Sequence, residues 1–129
     1  MRLDHLALTV TDRERSAAFY AEHFGFASRV HDDDHLLILA DAEGSLLTLS
    51  EGTVPDLPRT NHFGFRLATG AEVRARRTAF RQAAVEEAEW QAPGDGASGT
   101  PMGTGDFMVR VQVLDPDGYR VELYAYGDG

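Results

Sequence analysis

Apolar and polar residues alternate in two short segments of the chain, residues 3–10 (LDHLALTV) and 61–67 (NHFGFRL). Alternation with a period of two is typical of a β-strand that buries one face. Each segment has a histidine, His5 or His62, on the side opposite the large apolar residues. The pattern therefore predicts two strands and argues against a simple core role for either histidine.

A helix and three further strand candidates follow the first strand. The spacing of Thr11 and Glu14 predicts a capping box at the start of a helix of about three turns, which stops at Gly25. The strand candidates that follow it are residues 27–31, 35–40 and 45–50. The predicted order of the first half is β-α-β-β-β.

The second half of the chain repeats this order after the strand at 61–67. Its predicted helix covers residues 71–84, and its strand candidates are residues 86–91, 107–114 and 120–126. The chain thus looks like an internal duplication within a single domain.

The predicted domain has a first module at residues 1–52, a proline-bearing connector at 53–60 and a second module at 61–129. The glycine-rich segment 92–106 is too long for a hairpin loop. Such a length is compatible with a binding loop and with plain disorder, and the sequence leaves both readings open.

Composition narrows the function classes. The chain has 129 residues, 43% of them apolar, which is enough for one globular domain with its own core. A net charge of -9 argues against nucleic-acid binding, because duplexes are bound through a basic surface. The sequence has no apolar run of membrane-spanning length and no secretory leader, so we expect a soluble, cytoplasmic protein. With no cysteine, a metal site has to use histidine, carboxylate or water.

A candidate metal site appears when the two modules are superposed by sequence. His5 then coincides with His62, and Thr48 coincides with Glu122. Two imidazoles and one carboxylate on one concave surface suit iron(II), manganese, zinc or nickel and leave coordination positions open for a substrate. Taken singly, each of these residues has an ordinary structural role, so the hypothesis rests on their equivalent positions. The same face supplies the candidate substrate-pocket residues, which are Thr48, Arg66, Arg120 and Tyr124.

The chain resembles the vicinal oxygen chelate superfamily, which includes glyoxalase I, extradiol dioxygenases, fosfomycin-resistance transferases and bleomycin-resistance proteins. The resemblance rests on DHLALTVTDRERSAAFYAEHFGF, NHFGFRL and DPDGYRVELY, which lie at the start, middle and end of the sequence. It implies an α+β fold in which two βαβββ modules form a cupped mixed sheet with helices on the outer face. It further implies a divalent metal held by His5, His62 and Glu122, a small-molecule substrate with neighbouring oxygens and a homodimer.

The chain departs from each named activity of that superfamily. Thr48 stands where glyoxalase I has a fourth, glutamate ligand. The segment 103–112 has neither the histidine nor the tyrosine that the dioxygenases use near the metal. Ala7 replaces the threonine with which fosfomycin transferases touch the antibiotic, and the chain has no lysine to bind a phosphonate. The resemblance therefore predicts a lyase, isomerase, transferase or dioxygenase type of enzyme without choosing among them.

The alternative is a metal-free protein that binds a small molecule or antibiotic, like the bleomycin-resistance proteins. The acidic balance of the chain, together with Trp90, Tyr124 and Tyr126, would suit a cationic drug. Retention of all three candidate ligands favours the enzyme. The clusters at 31–35 (HDDDH) and 73–77 (VRARR) are interpreted as a solvated turn and a solvated helix face.

Overall fold

The computed structural model describes residues 1–88, 99–101 and 107–127. The chain divides into two compact units, Met1–Leu57 and Pro58–Gly129. The boundary between the units falls within the connector predicted at residues 53–60.

The first unit consists of a four-stranded mixed sheet and one helix. Strands β1 and β4 are parallel neighbours, and the sheet continues through β3 to β2 with antiparallel pairing, in the order β1-β4-β3-β2. The helix packs on β4. The elements are β1 His5–Val10, α1 Arg13–Phe24, β2 Ser28–Asp32, β3 Leu37–Ala40 and β4 Leu46–Glu51.

The second unit repeats this arrangement. Strands β5 and β8 are parallel, and the sheet order is β5-β8-β7-β6. Helix α2 packs on β7 and β8. The elements are β5 Phe63–Arg66, α2 Gly70–Gln82, β6 Gly99–Pro101, β7 Phe107–Leu114 and β8 Arg120–Tyr126. The predicted α+β fold with two related sheets is therefore confirmed.

Strand register makes the internal repeat explicit. In the first unit Ala7 of β1 lies opposite Thr48 of β4, and in the second unit Gly64 of β5 lies opposite Glu122 of β8. The pairing of Thr48 with Ile38 in β3 corresponds to the pairing of Glu122 with Gln112 in β7. Thr48 and Glu122 thus hold equivalent positions in their sheets, as the sequence superposition predicts.

The period-two pattern determines which strand faces are buried. In the second unit the alternate residues Val109, Val111 and Val113 of β7 are at most 2% exposed. Residues Val121, Leu123 and Ala125 of β8 are at most 3% exposed, and Val73 and Phe80 of α2 are buried with them. Burying each such valine or leucine contributes about 1.5–3 kcal/mol. This packing fixes β8 so that Arg120, Glu122 and Tyr124 belong to its opposite face.

The start of α1 differs from the predicted capping box. Asp12, not Thr11, is the N-cap, and its carboxylate accepts hydrogen bonds from the backbone N–H groups of Glu14 and Arg15. Thr11 instead accepts a hydrogen bond from the Arg15 guanidinium. An aspartate caps at least as well as a threonine and adds a negative charge at the positive end of the helix. The predicted stop at Gly25 is confirmed, because this residue adopts the left-handed conformation with φ 77°.

The edge of the second sheet also differs from the prediction. Of the strand predicted at 86–91, residues 89–91 lie outside the described part of the chain, and Glu87 forms a single bridge to Val113. A three-residue strand, β6, lies inside the segment 92–106 that the sequence analysis left without a strand, and it pairs with β7. Glycine and proline give β6 little strand propensity of its own, so its pairing depends on β7.

Candidate metal and ligand site

The polar face of the second sheet has two neighbouring rows of residues that cross three strands. The first row is Gly64, Glu122 and Gln112, and the second is Arg66, Tyr124 and Arg110. Residues directly opposite one another in neighbouring strands share a face of the sheet. The two rows therefore place a carboxylate, an amide, two guanidinium groups and a phenol on one surface.

His62 lies at the start of this surface, immediately before β5. Its Nδ1 is 2.9 Å from the backbone carbonyl oxygen of Thr60, which can only accept, so Nδ1 carries the proton. The other ring nitrogen, Nε2, lies 3.7 Å from Oε2 of Glu122. That distance is too long for a hydrogen bond. In the neutral ring a nitrogen lone pair and a carboxylate oxygen thus lie near each other without a hydrogen bond between them.

Glu122 is the buried member of this pair. The residue is 8% exposed, and its Oε1 receives no hydrogen bond from the described residues. The Arg110 Nη1 atom lies 3.9 Å from this oxygen, which is an ion-pair contact but too far for a hydrogen bond. A buried carboxylate oxygen normally has a hydrogen-bond or metal partner, because desolvating a charge is costly.

The approach of β5 to β8 depends on Gly64, which lies directly opposite Glu122. A Cβ atom at Gly64 would come within 2.9 Å of the Glu122 backbone oxygen and 3.0 Å of its Cβ. Any side chain here would force the two strands apart or displace Glu122. The glycine therefore helps to set the position of the carboxylate.

The residues His62 and Glu122 fit a divalent cation. A metal bound at about 2.0–2.2 Å from a nitrogen and from a carboxylate oxygen can span a 3.7 Å separation between them. A backbone carbonyl that accepts from Nδ1 is also one of the common outer partners of a metal-binding histidine. The pair supplies two of the three ligands that the sequence analysis predicts.

His5, the third predicted ligand, lies in the first unit at the start of β1. Its Nδ1 is 2.7 Å from the Asp4 carboxylate, and this hydrogen bond lowers the pKa of Asp4. The contact leaves Nε2 as the ring nitrogen that a metal could bind, as at His62. No group of three or more histidine, aspartate or glutamate side chains arranged to hold a metal occurs within residues 1–88, 99–101 and 107–127.

Thr48 lies on β4 between Ala7 and Ile38 and is half-buried. Among the pocket candidates of the second unit, Arg66 places its guanidinium 4.8 Å from the centre of the Tyr126 ring, and the Tyr124 and Tyr126 rings meet edge to face. Arg120 is half-buried on the same strand as Glu122. Three of the four candidates, Arg66, Arg120 and Tyr124, thus belong to the same sheet as Glu122.

Sequence reasoning overlooked two residues of this face, Arg110 and Gln112. Gln112 is 5% exposed, and neither Nε2 nor Oε1 of its amide has a hydrogen-bond partner among the described residues. A signal was present, because MVRVQVL (108–114) alternates valines with other residues and so predicts Arg110 and Gln112 on the face of Glu122. In the sequence analysis this segment was considered only for histidine and tyrosine, and both residues were therefore missed.

The two clusters set aside in the sequence analysis have structural partners. In the HDDDH turn, Asp33 accepts backbone hydrogen bonds from His35 and Leu36, and His31 lies 2.7 Å from its other oxygen. The backbone bond from Leu36, followed by the His31 contact, pulls the pKa of Asp33 far below its usual range. Arg77 of the VRARR segment binds Glu87 and is therefore more than a solvated helix residue.

The family model described as the Glyoxalase/Bleomycin resistance protein/Dioxygenase superfamily matches residues 2–123 of the chain. This match covers nearly the whole sequence, and the two repeated sheets have the corresponding fold. The chain therefore belongs to this superfamily, which confirms the resemblance found in the sequence. No curated protein matches the chain.

Solved structures of similar fold include three from bacteria. A possible glyoxalase from Bacillus cereus has a TM-score of 0.71 and 21% identity over 95% of this chain and 97% of that one. The fosfomycin resistance protein FosX from Listeria monocytogenes, complexed with Mn(II) and sulfate, has a TM-score of 0.72 and 21% identity over 96% and 89%. Lactoylglutathione lyase from Agrobacterium tumefaciens has a TM-score of 0.69 and 20% identity over 96% and 92%. At this identity the likeness concerns the fold. Neither helix in the described residues is long and apolar enough to cross a membrane.

Proposed function

We propose that this protein is a divalent-metal-dependent enzyme that acts on a small molecule with neighbouring oxygen atoms. His5, His62 and Glu122 would hold the metal, which is iron, manganese, zinc or nickel. The observation that carries the proposal is the pair formed by His62 Nε2 and Glu122 Oε2, 3.7 Å apart with Nδ1 of the histidine already engaged. Relatives support the same reading, since FosX has been crystallised with Mn(II) and with 1S,2S-dihydroxypropylphosphonic acid, which carries adjacent hydroxyl groups.

In this proposal the metal supplies Lewis acidity to the substrate oxygens. The residues of the chain would orient the ligands and leave room for the substrate. The Thr60 carbonyl and Asp4 carboxylate orient the two imidazoles, and the buried setting of Glu122 strengthens its attraction for a cation. The neutral hydroxyl of Thr48 is a poor ligand, so it would leave a coordination position to the substrate. This set is compatible with lyase, isomerase, transferase and dioxygenase chemistry, and it lacks the fourth ligand, a glutamate, that glyoxalase I has.

The alternative of a metal-free protein for cationic drugs is less well supported. The strands of the second sheet contain three arginines, one glutamate and no other charged residue. The guanidinium of Arg66 already occupies one face of the Tyr126 ring. Both features oppose binding of a second cation at this surface. Trp90, which the drug-binding hypothesis also used, lies outside the described residues.

We further propose a homodimer, as the resemblance implies, with two metal sites per dimer. Each site needs His5 from the first unit of a chain together with His62 and Glu122 from the second unit of the same chain or of the partner. The dimer matters for the proposed function because the partner chain could supply His5 to the metal site.

The test of the metal proposal is metal content after purification without chelator and without an immobilised-nickel step. We expect close to one first-row divalent ion per chain in the wild type. The change His62→Ala should remove most of it, because one of three ligands is lost. The matched control is His35→Ala, which alters an exposed histidine in the HDDDH turn.

Two outcomes would contradict the proposal. Wild-type protein that neither contains metal nor takes it up after chelation and reloading would favour the drug-binding alternative. A His35→Ala protein that loses the metal while His62→Ala retains it would place the ion in the HDDDH turn instead.

A further inference from the structure

The amide of Gln112 is buried on the polar face of the second sheet without a hydrogen-bond partner among the described residues. Both Nε2 and Oε1 lack one, although the residue is only 5% exposed. A buried amide that makes no hydrogen bond costs stability, and proteins keep such groups mainly where they have a use. The donor and acceptor of this amide are both available to a ligand that enters beside Glu122.

The internal repeat provides a control for this position. Gln112 lies opposite Glu122 in β8, and the equivalent residue of the first unit, opposite Thr48 in β4, is Ile38. The same place in the same kind of sheet thus accepts an aliphatic side chain. The fold by itself does not require an amide there, so the polar residue needs another explanation.

The charges of this sheet indicate the kind of ligand. The chain has a net charge of -9, but the strands of the second sheet carry three arginines and one glutamate, all at alternate positions of the polar face. The guanidinium of Arg110 lies beside the carboxylate of Glu122, with Nη1 3.9 Å from Oε1. A local excess of positive charge in an acidic protein attracts small anions to this surface.

We propose that Gln112 and Arg110 bind a small anion that carries a hydroxyl group next to its charged group, such as a 2-hydroxycarboxylate. The Gln112 Oε1 atom accepts from the ligand hydroxyl, its Nε2 donates to a ligand oxygen, and Arg110 supplies the positive charge. The proposal rests on the proposed function in one respect, since it names the class of the small molecule with neighbouring oxygens.

The first test uses the stability of the ligand-free protein. The change Gln112→Leu removes an amide that has no hydrogen-bond partner in the described part of the chain, and it leaves a side chain of similar size. We therefore expect its Tm to exceed that of the wild type by about 3–6 °C. The matched control, Ile38→Leu at the equivalent position of the first unit, should change the Tm little. A purely structural Gln112 predicts the opposite sign, because its replacement would then break hydrogen bonds.

The second test uses binding measured by calorimetry on chelator-treated protein. The probes are lactate, propionate, which lacks the hydroxyl, and 1,2-propanediol, which lacks the charge. We expect the wild type to bind lactate about tenfold more tightly than propionate and not to bind the diol. Gln112→Leu should abolish the preference for lactate, and Arg110→Gln should weaken binding of both anions. A parallel series with (1-hydroxyethyl)phosphonate shows whether carboxylates or phosphonates are preferred.

Three results would overturn this inference: wild type that binds none of the hydroxy-anions, wild type that binds propionate as well as lactate, and a Gln112→Leu protein that keeps the preference or has a lower Tm. Because these measurements are made without metal, they can succeed when metal binding fails. The metal proposal is tested separately, by the metal content of the purified protein.

Discussion

At the scale of single residues, the internal repeat separates what the fold requires from what the site requires. Glu122 and Thr48 hold equivalent positions, yet one is a carboxylate that is 8% exposed and the other a half-buried hydroxyl. Since the same sheet geometry accepts either residue, the fold alone does not require a carboxylate at 122. In the proposed metal site, Thr48 would stand where a fourth protein ligand could be added.

The change Thr48→Glu tests this interpretation. If Thr48 faces the metal, the new carboxylate becomes a fourth ligand, and the gain in Tm on adding metal should exceed that of the wild type. In chelator the same carboxylate has no partner, and we expect a loss of about 1–3 kcal/mol in the free energy of unfolding. Thermal melts with metal and with chelator measure both effects.

The control for Thr48→Glu is Ser50→Glu, which places a carboxylate two residues further along the same strand and face. It should destabilise the protein without a metal-dependent gain. An equal loss for Thr48→Glu with metal and with chelator would mean that Thr48 packs among its neighbours and does not face the ion.

Some residues of the candidate site could be predicted from the sequence, and others could not. His62 and Glu122 could be predicted because period-two alternation and the repeat both pointed to them, and the structure brings them together. Gln112 was missed because an amide has no distinctive spacing. It stands out only because the structure buries it with no hydrogen-bond partner among the described residues. Asp12 was missed as the cap of α1 because Thr11, its neighbour, satisfies the same sequence rule.

At the scale of elements, the segment after α2 is anchored to the helix and to β7. Arg77 and Arg81 both donate to the Glu87 carboxylate, with shortest distances of 3.2 and 2.7 Å. Glu87 in turn forms the bridge to Val113. The sequence could not reveal this anchor, because it joins a helix face to a residue six to ten positions later through side chains that usually remain in solvent.

The anchor predicts a pH-dependent contribution to stability. Partial burial by itself raises the pKa of Glu87, but the hydrogen bonds from Arg77 and Arg81 outweigh it and leave the pKa below the usual 4.5. A carboxyl group with a lowered pKa in the folded state stabilises the protein above the pKa of the unfolded chain. That contribution disappears as the pH falls through the lower, folded value.

We therefore expect Glu87→Gln to reduce the free energy of unfolding by about 0.5–1 kcal/mol at pH 7, a modest value because Arg81 is largely exposed. The difference from the wild type should shrink as the pH is lowered below 4.5. Denaturant unfolding at several pH values measures it, with Glu86→Gln as the control for the same charge change one residue away. A difference that stays constant from pH 7 to pH 3 would rule out the ionic anchor.

At the scale of the whole molecule, the order of the elements could be predicted because each half repeats the same pattern of one helix and several strands. The pairing of β6 with β7 could not, since it brings together segments separated by a glycine-rich stretch with weak propensity. The net charge of the chain also did not show how charges are distributed over the second sheet. A net charge of -9 suggested a cationic ligand, whereas three of the four charged residues in the strands of the second sheet are arginines.

In the proposed homodimer, the arrangement of the two chains would decide which chain supplies His5 to each proposed metal site. His5 belongs to one compact unit, and His62 and Glu122 belong to the other. Suppose that each site of the proposed dimer takes His5 from one chain and His62 and Glu122 from the other. A His5→Ala chain can then still supply His62 and Glu122, and a Glu122→Ala chain can still supply His5. A mixed dimer then contains one intact site and one site that lacks two ligands.

We expect that mixing the His5→Ala and Glu122→Ala proteins, neither of which binds metal alone, restores about a quarter of the wild-type metal capacity. Random exchange makes half of the dimers mixed, and each mixed dimer has one of its two sites intact. Metal content after subunit exchange, followed by mass spectrometry of differently tagged chains, measures the restoration. The control is a protein that carries both His5→Ala and Glu122→Ala in the same chain, taken through the same exchange. If exchange is complete and no metal binding returns, His5, His62 and Glu122 must act within one chain, and the dimer plays no part in forming the site.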